Sequence, residues 1–205
     1  MLCLQAPSPA PDPLAAGLRA LEQNNYPAAV EALTKAAAAD PKDYSIRFNL
    51  ALAESLAGRD REAIEDYRKT LELKPGLYQA NLNLGILLLR NRQAEAAVLP
   101  LEAARAAKPA ELRPSLYYAD ALLAAGRFDA AVGAFQDVLK LKADSAAAES
   151  GLGRALARKG QLDAAAGHLE NAARLDATYT DGLLELGELY EKEKRMAEAV
   201  ALYAK

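Results

Sequence analysis

Six alanines, Ala29, Ala63, Ala97, Ala131, Ala165 and Ala199, stand 34 residues apart with no slip between them. A fixed period of this length restricts the chain to folds made by stacking one supersecondary unit on the next. A single unit is too small to bury its own apolar face, so its neighbours must complete the core. Two more positions keep the same phase. Gly17, Ala51, Gly85, Ala119, Gly153 and Gly187 hold a tiny residue twelve places before each alanine. Leu33, Tyr67, Leu101, Phe135, Leu169 and Tyr203 hold a large one four places after it. Stacked repeats offer long surfaces rather than closed clefts, so binding is the style of function to expect.

Residues 78–111 give the clearest copy of the unit. Asn81, Leu82, Asn83, Leu84, Gly85, Ile86, Leu87 and Leu88 carry apolar side chains at helical spacing, and Asn91-Arg92 ends that run. A second amphipathic stretch starts near Glu95 and stops at Lys108-Pro109. The two helices are expected to cross most closely where both are small, at Gly85 and Ala97, with Leu84, Leu88 and Leu101 filling the seam. A larger side chain at either small position costs about 1–3 kcal/mol through overpacking. Gly58, Gly126 and Gly160 occupy the turn between helices, where a left-handed residue ends a helix without steric penalty. Pro41, Pro75 and Pro109 end the second helix, and Ala143 and Ala177 replace that proline later. Asp12-Pro13 reads as the cap and first-turn proline of the first helix. Pro100 falls inside a second helix, where a local kink is expected.

This pattern of small, apolar and proline positions resembles the tetratricopeptide repeat (TPR) family over about residues 10 to 205, in six copies. The resemblance implies an all-α fold, a right-handed α-solenoid of antiparallel helix pairs. Its units are 10–43, 44–77, 78–111, 112–145, 146–179 and 180–205, the last incomplete, within an array spanning 12–205. Residues 1–11 read as a flexible proline-rich leader. The short apolar stub at its start also fits a trimmed export signal, although a basic start and a long apolar run are missing. Cytoplasmic and exported locations both stay open.

Composition narrows the partners. A net charge of −3, from 25 basic and 28 acidic residues without blocks of like charge, lacks the basic stripe of a nucleic-acid binder. No stretch approaches the roughly 18 apolar residues of a membrane span. Cys3 is the single cysteine and His168 the single histidine. No metal-type pairing exists, no cofactor is implied, and His168 reads as a solvated surface residue. Gly151-Leu152-Gly153 lacks the strand and third glycine of a dinucleotide loop, and fits helix packing better. Asp181 and Glu185 are a helix face. No catalytic residue emerges, and a non-catalytic protein is expected.

In the TPR family the first helices line a concave surface that binds partner peptides. The same faces here place Leu14, Leu18, Leu21, Phe48, Leu52, Leu82, Ile86, Leu89, Leu116 and Leu123 inward in units one to four. Units five and six place Ser150, Arg154, Arg158, Glu185, Glu188 and Glu191 there instead. The apolar stripe is either a groove for a peptide or amphipathic helix, or is covered by packing or by the leader. Asn49 and Asn83 lie one period apart beside it and resemble two rungs of the asparagine ladder of the O-linked N-acetylglucosamine transferase arm. Tyr117, Gly151 and Glu185 end that ladder, so no glycosyltransferase activity is implied. The carboxylate clamp of chaperone-binding members is incomplete, since Tyr117 replaces the arginine expected beyond Arg113. The expectation is a scaffold that holds a protein or peptide partner. Self-assembly through an uncapped end at Val200–Lys205, or a role as the regulatory arm of a larger enzyme, are the alternatives.

Overall fold

The computed structural model describes residues 12–204; the proposed leader and Lys205 lie outside that range. The described residues form helices and connecting turns. The chain divides into two compact bodies, residues 1–87 and 88–205, and each is taken by itself.

The N-terminal body holds α1 (Pro13–Glu22), α2 (Tyr26–Ala39), α3 (Tyr44–Leu56), α4 (Asp60–Leu73) and most of α5 (Tyr78–Arg90). Short polar side chains start these helices. Asp12 accepts from the Leu14 amide at 3.2 Å ahead of Pro13, and Asp43 accepts from the Ser45 and Ile46 amides. The core of this body joins Ala29, Val30, Leu33 and Ala36 of α2 to Ile46, Leu50 and Ala53 of α3, and Leu14 and Leu21 pack at its edge. Two polar side chains fasten the linkers between pairs. Arg47 Nε donates to the Pro41 carbonyl at 3.4 Å, and Asn81, one period later, donates to the Pro75 carbonyl at 2.9 Å.

The C-terminal body contains the end of α5, then α6 (Ala94–Ala107), α7 (Leu112–Ala124), α8 (Phe128–Leu141), α9 (Ala146–Arg158) and α10 (Leu162–Leu175). A short 3₁₀ turn at Ala177–Tyr179 leads into α11 (Asp181–Lys192) and α12 (Met196–Tyr203). Helices pack in sequential pairs, and α7, α9 and α11 also lie side by side. Pro100 sits within α6, which keeps the fourteen-residue length of α2, α4, α8 and α10.

The period has a geometric basis. A thirteen-residue first helix, a three-residue turn, a fourteen-residue second helix and a four-residue linker fill it from Tyr44 to Leu77. The turn contains one left-handed residue each time: Asn24, Gly58, Arg92, Gly126, Gly160 and Lys194, with φ between 56° and 77°. The amide after it reaches back to a carbonyl five residues earlier, as in Arg59 to Glu54 at 2.8 Å and Arg127 to Leu122 at 2.9 Å. This closure satisfies carbonyls that a helix end leaves free.

All six alanines of the period are 0% exposed. Three of their small partners meet a large side chain. A Cβ on Gly17 would lie 2.5 Å from Leu33 Cγ, and one on Gly153 would lie 2.6 Å from Leu169 Cγ and 3.1 Å from the Ala165 carbonyl oxygen. Gly187 faces the Tyr203 ring in the same way. The glycine thus makes room for the large side chain of the second helix, and at Gly153 the backbone of the period alanine comes close as well. Interiors are packed too tightly for one methyl to be absorbed without a shift.

Candidate peptide-binding faces

On the N-terminal body, Leu18 of α1 is 36% exposed, and Phe48, Asn49 and Leu52 of α3 are half-buried. Asn83 and Ile86 of α5 are half-buried as well. Leu82 is not: at 5% exposure its side chain belongs to the interior, which removes it from the open stripe on which the sequence placed it. Its surface is already withdrawn from water, so a ligand gains little from it.

The two asparagines are engaged inside the chain. Asn49 Nδ2 donates to the Ser45 carbonyl at 2.8 Å, and Asn83 Nδ2 donates to the Tyr67 hydroxyl at 3.1 Å. Tyr67 in turn meets the edge of Phe48, with ring centroids 5.9 Å apart. Burial pushes the Tyr67 phenol up to about 12, and the amide donor from Asn83 only partly opposes that. An amide carries two donors and an acceptor, so each asparagine keeps hydrogen-bonding capacity beyond these bonds.

The series has already stopped at Tyr117, and the same position in the fifth unit is closed by an aromatic ring. Gly151 stands two periods after Asn83, and the second-helix residue two periods after Tyr67 is Phe135. A Cβ at Gly151 would run into the Phe135 ring. Phe135 has no hydroxyl to receive an amide, and its ring fills the place where the asparagine would stand.

On the C-terminal body Leu89, Leu116 and Tyr117 are half-buried, and the Arg113 guanidinium lies 5.8 Å from the centre of the Tyr117 ring. Two recesses lie here, the first on the face to which the sequence assigned Leu123, Arg154, Arg158 and Glu185. One, of about 230 Å³, opens between α7, α9 and α11. Leu169 and Leu186 are at its base, and Phe128, Arg154, Arg158 and Glu185 are around it. Arg154 bonds Glu185 at 3.1 Å, while its Nε is buried with no partner. Burial pushes the nearby Asp120 carboxyl up to about 6, against the pull of Arg154.

The other recess, about 890 Å³, lies along α10 and is lined by Glu149, His168, Asn171 and Arg174. His168 keeps a side chain 38% exposed, as a surface residue does, and it also has a partner that the sequence did not show. Its Nδ1 is 2.6 Å from Oε2 of buried Glu149, whose other oxygen accepts from Asn171 at 2.6 Å. The repeat phase held the signal. Arg47 and Asp66, three periods earlier, occupy the same two positions and pair at 3.0 Å with the charges reversed.

Elsewhere, Met196, Val200 and Tyr203 of α12 are exposed, Val200 at 63%. Among the described residues no three His, Cys, Asp or Glu side chains gather to hold a metal. No helix there is long and apolar enough to cross a membrane.

A family model described as tetratricopeptide repeat matches residues 14–78, 61–111, 118–180 and 151–205. No protein of curated function matches the sequence. Among solved structures, MamA 41-end from Desulfovibrio magneticus RS-1 is 22% identical, with a TM-score of 0.72 over 83% of this chain and 98% of that one. A further MamA crystal structure is 21% identical, with a TM-score of 0.73 over 82% of this chain and 92% of that one. YrrB, described as a TPR protein with an unusual peptide-binding site, is 22% identical at a TM-score of 0.66, covering 84% and 89%. At these identities the likeness is one of fold.

Proposed function

This chain belongs to the tetratricopeptide repeat family, and from that premise we propose that it is a non-catalytic scaffold holding a peptide or amphipathic helix of another protein. The fold suggests protein–protein interaction in general terms. The finer reading assigns the contact on the N-terminal body to Leu18, Phe48, Asn49, Leu52, Asn83 and Ile86, and on the C-terminal body to Leu89, Leu116 and Tyr117. The supporting observation is the surface around Phe48 and Asn83, where half-buried apolar side chains stand beside two amides. Apolar contact supplies affinity in such a surface, and the amides hold a ligand backbone without regard to its sequence. YrrB offers a parallel within the fold, as a TPR protein with a peptide-binding site.

The test starts by panning a random peptide library on the immobilised chain. Selected peptides are then titrated against the wild type, Leu52→Glu and Ile86→Glu. Both positions are half-buried, and circular dichroism checks that the variants fold. A loss of about tenfold or more in affinity, worth 1.4 kcal/mol, supports the reading. Unchanged affinity in both folded variants rejects it.

A second reading has its own observation. The exposed Met196, Val200 and Tyr203 form an apolar face on α12 suited to self-association. Light scattering across concentrations, with and without Val200→Glu, decides it. A wild type that is monomeric throughout excludes it.

A further inference from the structure

The recess between α7, α9 and α11 combines three properties. Its volume of about 230 Å³ is too small for a typical small-molecule site, which runs to roughly 300–1,000 Å³, and fits one large side chain. Its floor is apolar. Gly182 lines it, and a Cβ there would lie 2.6 Å from Leu169 Cδ2, so the glycine lets that side chain pack against α11. Its rim carries more positive than negative charge. Arg154 is matched by Glu185, but Arg158 has no carboxylate partner among the described residues and lies over the Phe128 ring at 5.4 Å. The buried Nε of Arg154 adds an unused donor.

A guanidinium held on an aromatic face keeps its edge N–H groups free for an anion. An unpaired arginine beside a water-poor apolar recess selects a ligand that brings both a hydrophobic group and a negative charge. We propose that this recess is a second binding site, which seats one large apolar side chain of a partner peptide flanked by acidic residues. The apolar side chain enters toward Leu169 and Leu186, and a flanking carboxylate accepts from Arg158. The site lies wholly within the C-terminal body and does not rest on the contact residues proposed for the N-terminal one.

The test uses the full chain and an array of capped decapeptides, each with one central Phe in a Gly-Ser frame. The two residues beside the Phe are Asp, Asn or Lys. The expected order of binding is Asp, then Asn, then Lys, with about tenfold between the extremes. Replacing the central Phe by Ser abolishes the signal. In Arg158→Glu, at an exposed position that leaves the core untouched, the order reverses. Arg61→Glu, at an exposed position on the other body, leaves it as in the wild type. Equal binding of the Asp and Lys peptides overturns the proposal, as does an order unchanged by Arg158→Glu. A signal lost in Arg61→Glu also overturns it, because the peptide would then be using the N-terminal body.

Discussion

Glu54 sits where the other repeats carry Ala20, Leu88, Leu122, Leu156 and Tyr190, all buried. It is only 6% exposed, and its Oε2 has no hydrogen-bond partner. Burial, reinforced by the charges of Asp66 and Glu62, pushes its carboxyl from 4.5 up to about 7. The fold therefore favours the protonated form. Between about pH 4.5 and 7 the unfolded chain gives up this proton while the folded chain keeps it, so stability falls as pH rises through that window. Asp120, raised to about 6, adds a slope of the same sign over a lower range. The carboxylates held below their usual range, such as Asp43 and Asp163, act in the opposite sense at more acidic pH. Urea unfolding should find the wild type more stable at pH 5 than at pH 8, and Glu54→Gln should flatten most of that difference. Glu54→Leu, restoring the side chain of the neighbouring repeats, should stabilise the protein by about 1–3 kcal/mol at pH 8 by removing an unpartnered buried group. A wild type equally stable at both pH values would contradict this account.

At the scale of the helix pair, the turn keeps one left-handed residue in every copy while the residue type changes. Three copies use glycine at the left-handed residue, and Asn24, Arg92 and Lys194 adopt the same conformation with a side chain attached. That conformation costs a non-glycine residue about 1–2 kcal/mol, partly offset because glycine also loosens the unfolded chain. Arg92→Gly should thus stabilise by about 0.5–1 kcal/mol, while Gly126→Ala should destabilise by about 1–2 kcal/mol, both read from urea midpoints. The glycine turns were legible in the sequence, as were the helix pairs, because spacing alone reveals them. The left-handed arginine and lysine were not, since neither residue type signals that conformation. Site residues were harder for the same kind of reason. Leu82 and Phe48 share a repeat position, yet one is buried and the other half-open, a difference set by the packing around each helix rather than by the period. The Glu149–His168 pair spans 19 residues and shows itself only when compared with Arg47–Asp66. The recess at Arg158 draws on five helices and a turn; the repeat phase put Leu123, Arg154, Arg158 and Glu185 on one face, but nothing local set Phe128, Leu169 and Gly182 beside them.

For the molecule as a whole, the two bodies carry different surfaces on one scheme of helices. The surface at Phe48 and Asn83 is apolar with amides, and the recess at Arg158 is apolar with charge. Removing residues 112–145 takes out one complete period, α7 and α8, and should leave a chain that unfolds cooperatively, because every remaining turn keeps its left-handed residue in place. Circular dichroism during urea unfolding follows that transition. The full-period deletion should also abolish binding at the recess, which uses Leu123, while leaving Leu52 and Ile86 untouched. The division of the period from Tyr44 to Leu77 into thirteen, three, fourteen and four residues has a genetic corollary. Any two points one period apart are structurally equivalent joints, so an unequal crossover between copies yields a longer or shorter chain whose seams still close. Copy number is then a heritable quantity that mutation can change in whole steps, independently of the side chains that decide what each copy touches.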